Sequence, residues 1–247
     1  ARPGVMRLLV TRIAAEAARL TGELAAAGHV CGIAPMIEIV PRTGITLDLS
    51  GVQALLVTSG SGVAALAGAT SERGLPVLAV GDSTARKARA AGFRDVRNAD
   101  GDVEALTDLA RRTLDPGAGR LIHAAGASLA GDLAGRLTAL GFDVERVTLY
   151  DSQPARALPD GIRESLMAGD FEGILFFSPR TAATFVTLAR NGLPKPDFSG
   201  RTAYCLSAAV ADALAPLGFG RVLVAAHPTE ADLRALLAPS PDLRSTT

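Results

Sequence analysis

Two stretches of the chain, "VGDSTARKARAAGF" (80–93) and "LSAAVADALAPLGF" (206–219), carry one pattern. Aligned on Gly92 and Gly218, their apolar residues coincide, while Gly81, Asp82 and Thr84 face Ser207, Ala208 and Val210. The repetition extends further. "RLLVTRIAAEAARLTGELAAAGH" matches "RLIHAAGASLAGDLAGRLTALGF", with Gly28 over Gly141. "ALLVTSGSGVAALA" matches "ILFFSPRTAATFV", with Ser59 over Ser178. The chain is therefore two copies of a three-part unit. Each part is a short apolar run, a small-residue turn and a segment with apolar residues at helical spacing.

The runs 8–11, 55–58, 77–80, 121–123, 175–177 and 203–206 suit buried strands. Ala85, Ala88, Ala91 and Phe93 show the helical spacing that follows such a run, and Gly28, Gly92, Gly141 and Gly218 stand where helix C-caps are expected. Strands alternating with helices predict parallel sheets with right-handed crossovers. The expected fold is α/β: two similar doubly wound, flavodoxin-like domains. Two long extended segments, 30–40 and 144–152, are each followed by a proline, Pro41 and Pro154. Strands of that length can outrun one sheet, which predicts a two-stranded β linker joining the domains.

Composition bounds the function. The 247 residues carry 25 Lys+Arg against 25 Asp+Glu, with no Trp and 4% aromatics. Neither the electrostatic footprint of a nucleic-acid or membrane partner nor a base-stacking surface is present. An anionic small ligand remains open, because helix N-termini bind anions without net positive charge. Cys31 and Cys205 lack CxxC spacing and read as buried reduced thiols; His29, His123 and His227 are scattered. No metal is expected. No segment reads as a membrane span or signal peptide, so a soluble, cytoplasmic protein is expected. No strand leads into GxGxxG or GxxxxGK[ST], which disfavours a nucleotide-binding enzyme.

The ordered fragments "LLVTR", "LLVTSGSGV", "VLAVGDSTARKARAAGF", "VTLYDSQP", "ILFFSPRTAATF" and "PTEADLRAL" resemble the uroporphyrinogen-III synthase family over almost the whole chain. The resemblance implies a crossed chain. One discontinuous domain would take 1–38 and 155–247 and another 42–150, with linkers at 39–41 and 151–154 and an open cleft between them. It further implies a cofactor-independent hydro-lyase of tetrapyrrole biosynthesis. Such an enzyme cyclises hydroxymethylbilane, a linear tetrapyrrole with eight carboxylates, inverting ring D through a spiro intermediate with loss of water. A monomer is expected, with possible hand-over of substrate from hydroxymethylbilane synthase.

Holding a flexible polyanion calls for several strand-to-helix turns whose main-chain N–H groups can receive carboxylates. The candidates are Thr58, Ser59, Gly60 and Ser61; Gly81, Asp82, Ser83 and Thr84; Gly126, Ala127 and Ser128; Ser178, Pro179 and Arg180; and Ser207, Ala208 and Ala209. Arg12 and Arg180 follow strands directly and could pair with acetate or propionate groups. Tyr150 matches the family's tyrosine at the end of the last strand before the crossover, which implies a role as general acid toward the departing hydroxyl. A phenol is a weak acid, so folding and orienting the substrate should contribute more than acid strength. His123 is expected to be buried and hydrogen-bonded, and Tyr204 to belong to the core. Two departures from the family pattern stand out: Ser207 and Val210 replace the usual Gly and Thr, and no Arg lies near Ala125. A non-catalytic two-domain binder of an anionic small molecule is the alternative.

Overall fold

The computed structural model describes residues 4–127 and 131–238. The chain divides into two compact units, one of Ala1–Glu38 with Gln153–Thr247 and the other Ile39–Ser152. Ser128 falls outside the described residues.

The first unit is built on five parallel strands: β1 (Arg7–Val10), β2 (Val30–Ile33), β9 (Gly173–Phe176), β10 (Thr202–Cys205) and β11 (Arg221–Val224), ordered β11-β10-β9-β1-β2. The central runs "RLLV" and "GILF" are apolar almost throughout because helices cover both faces. On one face α6 (Asp160–Ala168), α7 (Pro179–Gly192) and α8 (Ala208–Leu214) bury Leu166, Phe185, Val186, Val210 and Leu214 against Leu9, Ile174 and Phe176. On the other, α1 (Ala14–Ala26) and α9 (Glu230–Ala235) bury Ala17, Leu20, Leu24 and Leu233 against Leu8, Val10 and Leu175. Each such leucine, fully removed from water, contributes roughly 2 kcal/mol.

The second unit has six strands: β3 (Ile37–Pro41), β4 (Val52–Val57), β5 (Val77–Ala79), β6 (Val96–Asn98), β7 (Arg120–Gly126) and β8 (Val144–Pro154), ordered β3-β8-β7-β4-β5-β6. Strands β4 to β8 pair in parallel. Helices α2 (Gly60–Ala69) and α3 (Asp82–Ala90) cover one face through Val63, Leu66, Ala85 and Ala88. Helices α4 (Val103–Thr113) and α5 (Leu133–Ala139) cover the other through Leu106, Ala110, Leu133 and Leu137. Both units are thus doubly wound, and each takes its first-part strand from one copy of the repeat and its remaining repeat strands from the other: β1 lies beside β9, and β7 beside β4.

The expected C-cap glycines have the left-handed backbone that ends a helix, with φ of 97° at Gly28, 92° at Gly92, 87° at Gly141 and 62° at Gly218. One expectation is corrected. The segment 30–40 is not a single extended run but two strands, β2 and β3, in different sheets. Ala34, Pro35 and Met36 break it: Pro35 has no N–H to give a ladder, and the N–H groups of Ala34 and Met36 donate to Val10 O and Thr11 O at 3.0 and 3.2 Å, with both of those side chains fully buried. Strand β8 does run long, from Val144 to Pro154, beside β3. Arg42 N–H donates to Leu149 O and Ala155 N–H to Met36 O, an antiparallel progression along that pair.

Candidate functional site

In an open parallel sheet, ligands bind outside the carboxyl ends of the strands where the strand order reverses. In the second unit the chain moves outward from β4 to β5 and β6, then crosses to β7 on the other side of β4, so the reversal lies between β4 and β7. Ser59, two residues beyond β4, is the N-cap of α2 and accepts a 3.0 Å hydrogen bond from Gly62 N–H. Its Oγ also lies 3.0 Å from the hydroxyl of Tyr150 on β8. That contact reaches across the end of β7, whose last residue, Gly126, is in register with Tyr150. A Cβ on Gly126 would stand 2.7 Å from Tyr150 Cε2 and 2.8 Å from Cζ, so only glycine lets the ring cross. Ala127 N–H donates to Tyr150 O at 3.0 Å, and Arg146 Nη2 donates to Gly126 O at 2.7 Å and Ala127 O at 3.2 Å. Tyr150 is thus held by Ser59 at its hydroxyl and by Ala127 at its carbonyl, beside the Gly126 backbone, and is almost entirely buried.

The neighbouring turns share this edge. Thr58, Ser59, Gly60 and Ser61 are partly buried between β4 and α2. The first main-chain bond of α2 is Val63 N–H to Ser59 O, so the N–H groups of Gly60 and Ser61 lie ahead of the helical ladder. In α3 that first bond is Ala85 N–H to Gly81 O at 2.9 Å, which puts Asp82, Ser83 and Thr84 N–H in the same position. Asp82 and Ser83 are exposed, with Asp82 ion-paired to Arg86, whereas the Thr84 side chain is buried beneath the turn. Ala127 is exposed.

In the first unit the order reverses between β1 and β9. Thr11, fully buried, bridges that point by donating its hydroxyl to Leu175 O at 2.7 Å. Arg12 stacks 4.8 Å from the centroid of Phe177, and its guanidinium donates to Glu16 and Glu230, each at 2.5 Å. Its charge is therefore already matched by two carboxylates, an arrangement that sequence reasoning did not foresee. Ser178 and Thr181 form a reciprocal capping box with Pro179 at the first turn of α7. The Ser178 and Thr181 N–H groups are taken up by that box, and Pro179 has none. Arg180 is exposed. The Ser207 turn is different: its side chain makes no cap bond, and Val210 and Ala211 donate to Ser207 O, leaving Ala208 and Ala209 ahead of the ladder.

His123 is buried, as expected, but the expected hydrogen bond is not seen: among the described residues neither ring nitrogen has a partner. Burial, reinforced by the charge of Arg146, lowers its pKa to about 4 and keeps the ring neutral. Tyr204 lies in the core, where burial raises its pKa, and its hydroxyl meets Met6 Sδ at 3.8 Å. Cys205 is fully buried, its thiol pushed up to about 12 by burial, and Cys31 is raised for the same reason. Among the described residues no three His, Cys, Asp or Glu side chains gather as metal ligands, and no helix is long and apolar enough to cross a membrane.

Two doubly wound parallel-sheet units with interchanged repeat strands, each ending in turns of glycine and hydroxyl residues, define the class: a discontinuous two-unit α/β protein. The chain belongs to the uroporphyrinogen-III synthase family, hydro-lyases of tetrapyrrole biosynthesis, since the family model "Uroporphyrinogen-III synthase HemD" matches residues 18–235. Among solved structures, the uroporphyrinogen-III synthetase of Helicobacter pylori is similar in fold, with a TM-score of 0.61 and 16% identity over 94% of this chain and 98% of that one. A mutant uroporphyrinogen III synthase of Thermus thermophilus aligns over 94% of this chain and 97% of its own at 18% identity, with a TM-score of 0.45. A search of curated proteins found no match.

Proposed function

We propose that this chain closes hydroxymethylbilane to uroporphyrinogen III, with the Ser59–Tyr150 pair as the group that meets the departing hydroxyl. The observation that carries the assignment to these residues is the 3.0 Å contact of two hydroxyls at the strand-order reversal of the second unit, within a chain matched by the family model over 18–235. The pair has a defined polarity. Ser59 Oγ accepts from Gly62 N–H, and when its own proton is directed at Tyr150 Oη the phenol O–H is free to donate. The pyrrole nitrogen lone pair expels the hydroxymethyl oxygen, which takes up a proton and leaves as water. A donated hydrogen bond from Tyr150 stabilises the negative charge developing on that oxygen. The resulting electron-poor methylene carbon is attacked by the substituted α-carbon of ring D. The bond from that carbon to its original methylene then breaks, and the freed methylene is captured by the unsubstituted α-carbon of ring D, which inverts the ring. The proton lost there balances the one taken up by the departing hydroxyl.

The same reading assigns carboxylate binding to the main-chain N–H groups of Gly60, Ser61, Asp82, Ser83 and Thr84, with Thr58, Gly81, Gly126 and Ala127 shaping the edge. Ser128 is proposed with them from the sequence alone. Ser207, Ala208 and Ala209 are proposed as a carboxylate-binding turn of the first unit. Ser178, Pro179, Arg180 and Arg12 are retained in that role with less main-chain donor capacity at the capping box and with the Arg12 charge shared by Glu16 and Glu230. The chain is proposed to act alone, as a monomer without cofactor, on a substrate supplied by hydroxymethylbilane synthase. An isomer assay tests the reaction: hydroxymethylbilane generated in situ should give mainly uroporphyrin III after oxidation. Isomer I alone, the product of spontaneous closure, would overturn it.

A further inference from the structure

Lys87 lies on α3, five residues beyond the start of that helix. Helical side chains lean toward the N-terminus of their helix, and here this carries the ammonium toward the carboxyl edge of the sheet. The side chain comes to rest on Gly60: a Cβ there would overlap Lys87 Cδ and Nζ and stand 2.9 Å from Cε. Gly60 adjoins Ser59, the partner of Tyr150. Lys87 is partly buried, yet its ammonium makes no hydrogen bond or ion pair with any described residue. This sets it apart from the arginines of its own helix. Arg86 is held by Asp82, and Arg89 donates to Val96 O.

An ammonium kept over a glycine, without a carboxylate of its own, is available to a carboxylate that arrives with a ligand. We infer that Lys87 is a substrate-positioning residue that pairs with one acetate or propionate carboxylate of the tetrapyrrole beside the Ser59–Tyr150 pair. This inference rests on the proposed cyclisation. Gly60 serves it by leaving the space the lysine stem occupies, and a compact point charge accepts either side-chain length.

The test is steady-state kinetics on hydroxymethylbilane with Lys87→Gln, Lys87→Arg and Gly60→Ala, alongside the melting temperature of each. Lys87→Gln should raise KM about tenfold, the scale of one charge-assisted hydrogen bond, with kcat within about twofold of wild type. Lys87→Arg should recover most of the loss. Gly60→Ala, which keeps the charge but displaces it, should raise KM in the same direction. A merely structural lysine would move the melting temperature and leave KM alone. An unchanged KM in Lys87→Gln, with wild type still forming isomer III, would overturn the inference and leave the proposed reaction standing. No isomer III from wild type would remove the reaction and this inference together.

Discussion

Ser59 follows β4 and Tyr150 lies on β8, strands that are not neighbours, yet their hydroxyls approach to 3.0 Å because the strand between them, β7, ends in Gly126. The glycine is thus a condition of the contact. Gly126→Ala would place a methyl 2.7–3.1 Å from three atoms of the tyrosine ring tip, and the ring must turn away. Overpacking of this kind costs about 1–3 kcal/mol. Chemical denaturation should register that loss, and Tyr150→Ala in the same chain should recover part of it; purely additive effects would contradict the steric coupling.

His123 makes the second unit sensitive to acid. Its folded pKa of about 4 lies below the ordinary 6.5, so the unfolded chain binds the proton first as pH falls. Stability is complete above pH 6.5, declines between about 6.5 and 4, and levels off below as far as this residue is concerned. The whole effect is on the order of 3 kcal/mol at most, from about 1.4 kcal/mol per pKa unit. Unfolding free energies measured across that window should show the decline in wild type and a flatter profile in His123→Leu. Parallel profiles would remove His123 as the cause.

The two thiols should separate by reactivity. Cys205 is fully buried with its pKa pushed up to about 12, and Cys31 is only partly buried. Brief alkylation of the native protein at mildly alkaline pH, read by peptide mass spectrometry, should label Cys31 ahead of Cys205, with Cys205 reacting fully only after denaturation. Equal labelling of both in the native state would contradict the packing around β10.

How much of this could be read from the sequence differs from element to element. Runs such as "ALLV" and "ILFF" declare themselves as central strands because burial on both faces leaves no polar position in them. The edge strands β6, "VRN", and β11, "RVLV", carry no such mark, since one side of each faces solvent. The break between β2 and β3 is marked in the sequence by Pro35, which has no N–H to give a ladder, but the apolar Ala34 and Met36 on either side mask it; in the fold their bonds to Val10 and Thr11 divide the two strands. At the candidate site, the strand-end turns followed from the strand ends themselves. Of the two partners of Arg12, Glu16 is a local i,i+4 neighbour, but Glu230, 218 residues away in sequence, was not legible. Nor was the resting place of Lys87, which depends on how α2 packs against α3, or the clamp of Arg146 on Gly126. Such contacts are products of tertiary packing, and no local pattern encodes them.

The measurement that bears most directly on the account is single-turnover formation of uroporphyrinogen III by wild type, Tyr150→Phe and Ser59→Ala. Removing the phenol oxygen removes the donor proposed to meet the leaving hydroxyl. Since general-acid groups typically supply about 10²–10⁴ in rate and this leaving group is already expelled by the pyrrole, the lower end applies, a loss of about a hundredfold in Tyr150→Phe. Ser59→Ala should lose less, because the tyrosine keeps its main-chain bond from Ala127 N–H. Tyr150→Phe should keep its fold, and Ser59→Ala, which also removes the α2 cap bond from Gly62, should still fold with about 1 kcal/mol less stability. Wild-type rates of isomer III from a folded Tyr150→Phe would contradict the central claim and place the chemistry elsewhere in the molecule.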